Sequence, residues 1–146
     1  MERKEKSQTL KYLKTNIRDV LWTSIESFVI PGTCDVFYSG FSSKKTRGIG
    51  ALELKRPDHW PIRKPGNVGL KDDQALFLTK LHESGGISFL LVHTIREDDW
   101  LIMPGYKTLV DGKAKLGYLE DFKKEAVFYC RGTPDYKEIR KAVVCW

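Results

Sequence analysis

Three charged residues in two short segments have the types and spacing for hydrolytic chemistry: Asp35, and the pair Glu53 and Lys55. The pair lies in Ala51-Leu-Glu-Leu-Lys55. Strand side chains alternate between faces, so Glu53 and Lys55 share one face while Leu52 and Leu54 share the other. Charged groups are almost never buried unless they are paired or bound to an ion. Asp35, on a neighbouring predicted strand, is the natural companion, and two carboxylates brought close repel unless a cation sits with them. Magnesium suits such a pair, because it takes hard oxygen ligands, often one or two carboxylates plus waters and substrate phosphate oxygens. A cation held there acidifies bound water and polarises a phosphoryl oxygen. Lys55 then stabilises charge developing at phosphorus. The chemistry expected is phosphodiester hydrolysis with Mg2+ or Mn2+. The same E-x-K pattern also occurs as a solvent-facing ion pair on a half-exposed sheet, and an isolated aspartate like Asp35 often ends a strand or turn.

The surrounding elements must position these groups. Leu10, Leu13, Ile17, Val20 and Leu21 predict a helix over residues 7–21, with Lys11, Lys14 and Arg18 on its other side. Residues 22–30 read as extended, Pro31-Gly32 as a turn, and residues 34–38 and 49–55 as strands. The connection over 39–48 has no helical pattern, so those two strands are expected to be antiparallel. Residues 56–70 hold three prolines and two glycines and predict a long loop, usually functional or disordered in a compact domain. A helix is expected over 71–85, with Asp72 and Asp73 at its positive end. The apolar run 87–93 predicts a strand covered on both faces, and 100–103 a further strand. After Pro104, one helix is expected around Leu119, Phe122 and Ala126. Another is expected to be capped at Thr133-Pro134, with Tyr136, Ile139 and Val143 inward. The fold class is therefore α/β: one domain with a mixed central sheet of about five strands flanked by helices, its core over about 10–103 and a C-terminal helical extension over about 104–146.

The succession Ile25-Glu26, Pro31-Gly32, Asp35, Gly50-Ala-Leu-Glu53-Leu-Lys55 and Gln74 resembles the PD-(D/E)xK nuclease superfamily. Within it the chain is similar to the Holliday-junction resolvase and VRR-NUC branch, including small phage-encoded members. The resemblance covers about residues 10–103 and implies a restriction-endonuclease-like core. It implies that Asp35, Glu53 and the backbone carbonyl of Leu54 hold the metal and that Lys55 assists catalysis. It further implies that Gln74 approaches the site and that an additional acid completes it, Glu26 or, as the weaker choice, Asp19. The chain departs from the superfamily pattern in placing Thr33-Cys34, not proline, directly before Asp35. Spacing independently places Gln74 inward, three and four residues before Phe77 and Leu78, although a place at the end of that stripe would let it reach solvent.

Charge fits a polyanionic partner. The 146 residues carry 25 Lys and Arg against 19 Asp and Glu, a formal charge of +6, and the pI is about 9.2. Several positive charges fall on two loops: Lys44, Lys45 and Arg47 on one, and Arg56, Arg63, Lys64 and Lys71 on or near the other. These are the expected phosphate contacts, with Tyr38, Phe41 or Trp60 packing on sugars or exposed bases. His59 is a surface histidine within reach of proton transfer. Cys34, on the side of its strand away from Asp35, reads as core. No apolar run of about 18 residues predicts a membrane span. The charged start, with no apolar stretch behind it, does not read as a secretory signal. The three cysteines suit a reducing cytoplasm, that of the host if the chain is phage-encoded. No CxxC pair, Walker A or G-x-S-x-G pattern is present. The expectation is a DNA endonuclease acting on branched DNA, best a four-way junction, as a homodimer that makes two symmetric nicks. The competing readings are a flap or other structure-selective nuclease, a sequence-specific nuclease, and a non-catalytic nucleic-acid-binding module.

Overall fold

Near-continuous apolar runs such as Phe89-Leu-Leu-Val92 and Trp100-Leu-Ile-Met103 require a sheet to be covered on both sides. The computed structural model describes residues 2–25, 32–41 and 47–145, the side chains of residues 2–5 and of Arg47 excepted. Its elements run α1 (Glu2–Asn16), β1 (Leu21–Ser24), β2 (Val36–Phe41), β3 (Arg47–Lys55), α2 (Asp72–Glu83), β4 (Ser88–His93), β5 (Asp99–Pro104), β6 (Leu109–Val110), β7 (Lys113–Ala114), α3 (Leu119–Glu125), β8 (Phe128–Arg131) and α4 (Tyr136–Val144). Among the described residues, six strands form one sheet in the order β1-β2-β3-β4-β5-β8, and β6 and β7 form a separate hairpin.

The sheet is mixed. β2 and β3 pair antiparallel, with Val36 opposite Leu52 and Phe41 opposite Arg47. β3 and β4 pair parallel, with Glu53 opposite Leu90 and Lys55 opposite Val92, and α2 lies between them in the chain. One face carries Val36, Leu52, Leu54, Phe89, Leu91, Trp100 and Ile102, packed on Leu10 and Leu13 of α1 and Ile139, Val143 and Val144 of α4. The other carries Leu90, Val92, Leu101 and Met103, packed on Ala75 of α2, Phe122 of α3 and the buried loop residues Trp60, Val68 and Leu70. A smaller cluster of Cys34, Ala51 and Leu78 continues this second face. Burying one such large apolar side chain contributes about 1.5–3 kcal/mol, so the three-layer stack holds the ends of β2 and β3 rigidly.

Three differences from the sequence reading have physical causes. The first helix ends at Asn16, yet Ile17 and Val20 remain buried. A turn, not another helical turn, folds them into the core, and the Trp22 indole N–H donates to the Ile17 carbonyl at 3.1 Å. The extension beyond residue 104 has its two helices but also supplies β8, which pairs antiparallel with β5. The final helix is capped two residues later than Thr133, where Asp135 accepts a hydrogen bond from the Lys137 N–H at 3.0 Å; Ile139 and Val143 face inward as expected.

The long loop is pinned to the body. Pro57 and Asp58 carbonyls accept hydrogen bonds from Ile95 and Arg96, and the Trp60 indole donates to the fully buried Asp99 carboxylate at 2.8 Å. Tyr129 and Arg131 of β8 donate to the same carboxylate at 2.9 and 2.7 Å. Burial pushes the Asp99 carboxyl up, but its bonds to Arg131, Trp60 and Tyr129 outweigh burial and hold it below the usual carboxylate range. Asp99→Ala leaves the indole and phenol without their acceptor. It is expected to cost about 2–4 kcal/mol, read as a lower urea midpoint and faster proteolysis within residues 57–70. An unchanged midpoint would show that the buried carboxylate does not hold the loop.

Candidate active site

The site begins with a glycine. Gly32 has φ of +81°, and a Cβ there would collide with the carbonyl oxygen of Asp73 in the first turn of α2. Only glycine tolerates both the backbone sign and the close approach. Cys34 is thereby laid against Leu78 of α2 before β2 begins. The Asp35 N–H donates to the Leu52 carbonyl at 3.1 Å, and the Asp35 carbonyl accepts from Ile25. Gly32→Ala is expected to destabilise the protein by about 1–3 kcal/mol and to lower the activity proposed below. Thermal melting checks the first effect, and a wild-type melt would remove Gly32 from this role.

Asp35 is half-buried, and its Oδ2 accepts the Leu54 N–H at 2.8 Å. The N–H and C=O of one strand residue point to the same side, so the Leu54 carbonyl faces the Asp35 side as well. Glu53 is fully buried. Among the described residues no N–H or O–H donates to either of its carboxylate oxygens. Burial first, then the neighbouring Asp35 carboxylate, pushes the Glu53 carboxyl up to about 9, and Lys55 and Lys6 only partly offset this. Lys55 is buried on the same face of β3. Lys6 of α1 places its Nζ 3.6 Å from Asp35 Oδ2.

The expected residues therefore divide. Asp35, Glu53, the Leu54 main chain and Lys55 come together. Gln74 sits half-buried in the first turn of α2, where its Oε1 accepts the Lys71 N–H at 2.9 Å; this is a helix cap, and its hydrogen bond goes to neither carboxylate. Glu26, Lys44, Lys45 and the Arg47 side chain lie outside the described residues. The alternative acid, Asp19, pairs with Arg140 of α4 at 2.9 Å. Arg63, Lys64 and Lys71 are exposed, as is His59. Arg56 is half-buried and donates to Gln8 Oε1 of α1 at 3.0 Å.

Two of the three aromatic residues expected at the nucleic acid are instead structural. Tyr38 is buried and its hydroxyl donates to the Val143 carbonyl at 2.6 Å. Trp60 is buried against Phe122 and Asp99. Each hydroxyl or indole N–H has a buried acceptor, which turns the ring inward. Phe41 alone of the three is exposed. Cys34 is core, and burial, then Glu53, raises its thiol to about 12, so it stays protonated.

Lys6 carried no periodic or motif signal, and neither did the contacts of α1 that flank it. Beside Gln8, Thr9 meets buried His93 Nδ1 at 3.0 Å, while His93 Nε2 meets Asp98 at 2.8 Å. Burial lowers the His93 pKa, which keeps the ring neutral, stacked on Trp100 at 3.9 Å.

No protein-family model matches the chain, and no curated protein matches it. Among the described residues no helix is long and apolar enough to cross a membrane, and no group of three or more His, Cys, Asp or Glu is gathered as a metal cluster. The donor set at the site is two carboxylates and a carbonyl. It fits a hard divalent cation that keeps several waters, and the Glu53 oxygens, which have no donor among the described residues, are what such a cation would satisfy.

Proposed function

We propose that the chain is a Mg2+- or Mn2+-dependent endodeoxyribonuclease of the PD-(D/E)xK type. One observation carries the reading: Glu53 is buried and, among the described residues, has no donor to either carboxylate oxygen, beside Asp35 and on the face that also buries Lys55. A carboxylate left so is costly and is expected where a ligand compensates it. Asp35, Glu53 and the Leu54 carbonyl would hold the cation, which when bound supplies an acidified water and a polarised phosphoryl oxygen. Lys55 holds a positive charge against the phosphodiester as charge builds on it. The Leu54 N–H fixes one oxygen of Asp35. Arg63, Lys64 and Lys71, which are exposed, would hold flanking phosphates.

The proposed substrate is branched DNA, with a four-way junction first. Shape is the selectivity that a core of this size supports by itself. Two symmetric nicks would make the acting species a homodimer. The test incubates wild type and Asp35→Ala with a four-way junction, a flap, a duplex and a single strand in Mg2+ or Mn2+. Paired nicks in the junction by wild type only are expected. Cleavage of the flap alone would move the proposal to a flap nuclease. Binding without cleavage would leave a nucleic-acid-binding module. Undiminished cleavage by Asp35→Ala would sink the site assignment.

A further inference from the structure

We propose that Lys6 changes partner as the site loads: it is the counter-ion of Asp35 before a divalent cation binds and a phosphate ligand afterwards. This rests on the metal-dependent reading above and names a residue which that reading did not include.

The geometry places Lys6 in the site and not merely near it. Its Nζ lies 3.6 Å from Asp35 Oδ2, with the lysine side chain 18% and the aspartate side chain 30% exposed. The same oxygen accepts the Leu54 N–H, so Lys6 leans on the carboxylate held at the end of β3. The helix that carries it is fixed just beyond. Gln8 takes the Arg56 guanidinium from the end of β3, and Thr9 meets His93 at the end of β4. The backbone of α1 is thus anchored, while Lys6 keeps a flexible four-carbon stem. Its charge already reaches the second carboxylate, since Lys6 and Lys55 both act to lower the Glu53 pKa.

Charge counting gives the consequence. Once Glu53 has released its proton to hold a cation, Lys6 and Lys55 balance Asp35 and Glu53 charge for charge. A divalent cation then leaves a surplus of two positive charges, into which a singly charged phosphodiester fits. Asp35 holding a cation would loosen its pair with the Lys6 ammonium, which like charge would push away. A partly exposed ion pair of this kind is worth at most about fivefold in an equilibrium constant, so it can be displaced. Once displaced, the ammonium would stand beside a site of net positive charge, where it would meet a phosphate of the bound DNA.

The test uses the full chain stripped of metal, as wild type, Lys6→Met and Lys6→Arg, with Lys6→Gln as a second uncharged variant should Lys6→Met fail to fold. Mn2+ binding is read by calorimetry, with no turnover involved. Binding to a fluorescent DNA duplex in Ca2+ is read across a salt series. The uncharged variant is expected to bind Mn2+ about fivefold more tightly. The slope of its logarithmic affinity against logarithmic salt is expected to shrink by about 1. Lys6→Arg retains the charge and should keep a salt slope near wild type. Unchanged or weaker Mn2+ binding, or an unchanged slope, would overturn the proposal and leave the pair a surface contact. If wild type itself binds no Mn2+, the metal reading fails and this one falls with it.

Discussion

Glu53→Gln is expected to abolish cleavage and, in the metal-free protein, to raise stability. The two effects have one cause. Glutamine keeps the shape of the side chain but removes the charge that a divalent cation would need, so metal affinity and turnover should both fall to background. The fold, in contrast, gains. In the folded protein burial and Asp35 hold the Glu53 carboxyl up at about 9 against an ordinary value of 4.5. Above pH 4.5 the unfolded chain releases the proton while the folded one keeps it. Folding therefore takes up a proton, and the contribution of Glu53 to stability is full below about pH 4.5 and is lost progressively as pH rises through about 9. Near pH 8 in EDTA, Glu53→Gln should be more stable than wild type by up to about 4–5 kcal/mol, a rise on the order of 10 °C in Tm for a domain of this size. Its new amide also gains a neighbouring carboxylate as acceptor. The variant's stability should fall less steeply with pH than wild type's over this window. Melting curves in EDTA at several pH values check this directly. A variant less stable than wild type would mean that Glu53 has partners in the fold and is not a strained ligand. Retained cleavage would remove it from the site whatever its stability.

That conflict between stability and local rule explains how far the sequence could be read. Alternation in Ala51-Leu-Glu-Leu-Lys55 placed Glu53 and Lys55 on one face, and the apolar run through β4 required that face to be covered; together they predict buried charge, which the structure has. The antiparallel β2–β3 pair followed from the short polar connection; which strand runs parallel in the mixed sheet was not read, and the structure shows it to be β4 beside β3, with α2 between them in the chain. Periodicity is a local signal, and these are local facts. Lys6 was not legible, because its meeting with Asp35 depends on how α1 crosses the sheet, which no neighbouring residue encodes. Asp99 was not legible for the same reason: it gathers Trp60, Tyr129 and Arg131 from segments about 30 to 40 residues away. Tyr38 and Trp60 look alike in sequence whether they face DNA or core. Their polar tips decide, and the acceptors they find, Val143 and Asp99, lie far along the chain. Gln74 was placed on the right turn of the right helix, but the nearest unsatisfied group there is the Lys71 backbone N–H, which it caps.

Lys55→Ala is expected to lower kcat on the order of 10²–10³-fold at saturating metal and DNA. Saturation matters to the argument. Lys55 opposes the rise in the Glu53 pKa, so its loss makes Glu53 harder to ionise and weakens metal binding near neutral pH. At low metal that weakening alone would slow the reaction and mimic a catalytic defect. With metal in excess, what remains is the charge Lys55 offers to the phosphodiester, worth most where water is excluded, and Lys55 is only 3% exposed. Its stem passes close to Gly69, where an added Cβ would stand 3.8 Å from Lys55 Cδ, and Gly69 has φ of +86°. The chain therefore closes over the lysine without crowding it. Lys55→Arg should not restore the rate, because a planar guanidinium does not occupy the space of a compact ammonium in a buried site. Duplex binding in Ca2+ should change little, since the exposed cations carry that term. A near-wild-type kcat for Lys55→Ala at saturating Mn2+ would take Lys55 out of the chemistry. Its burial beside Glu53 would then serve charge balance within the fold.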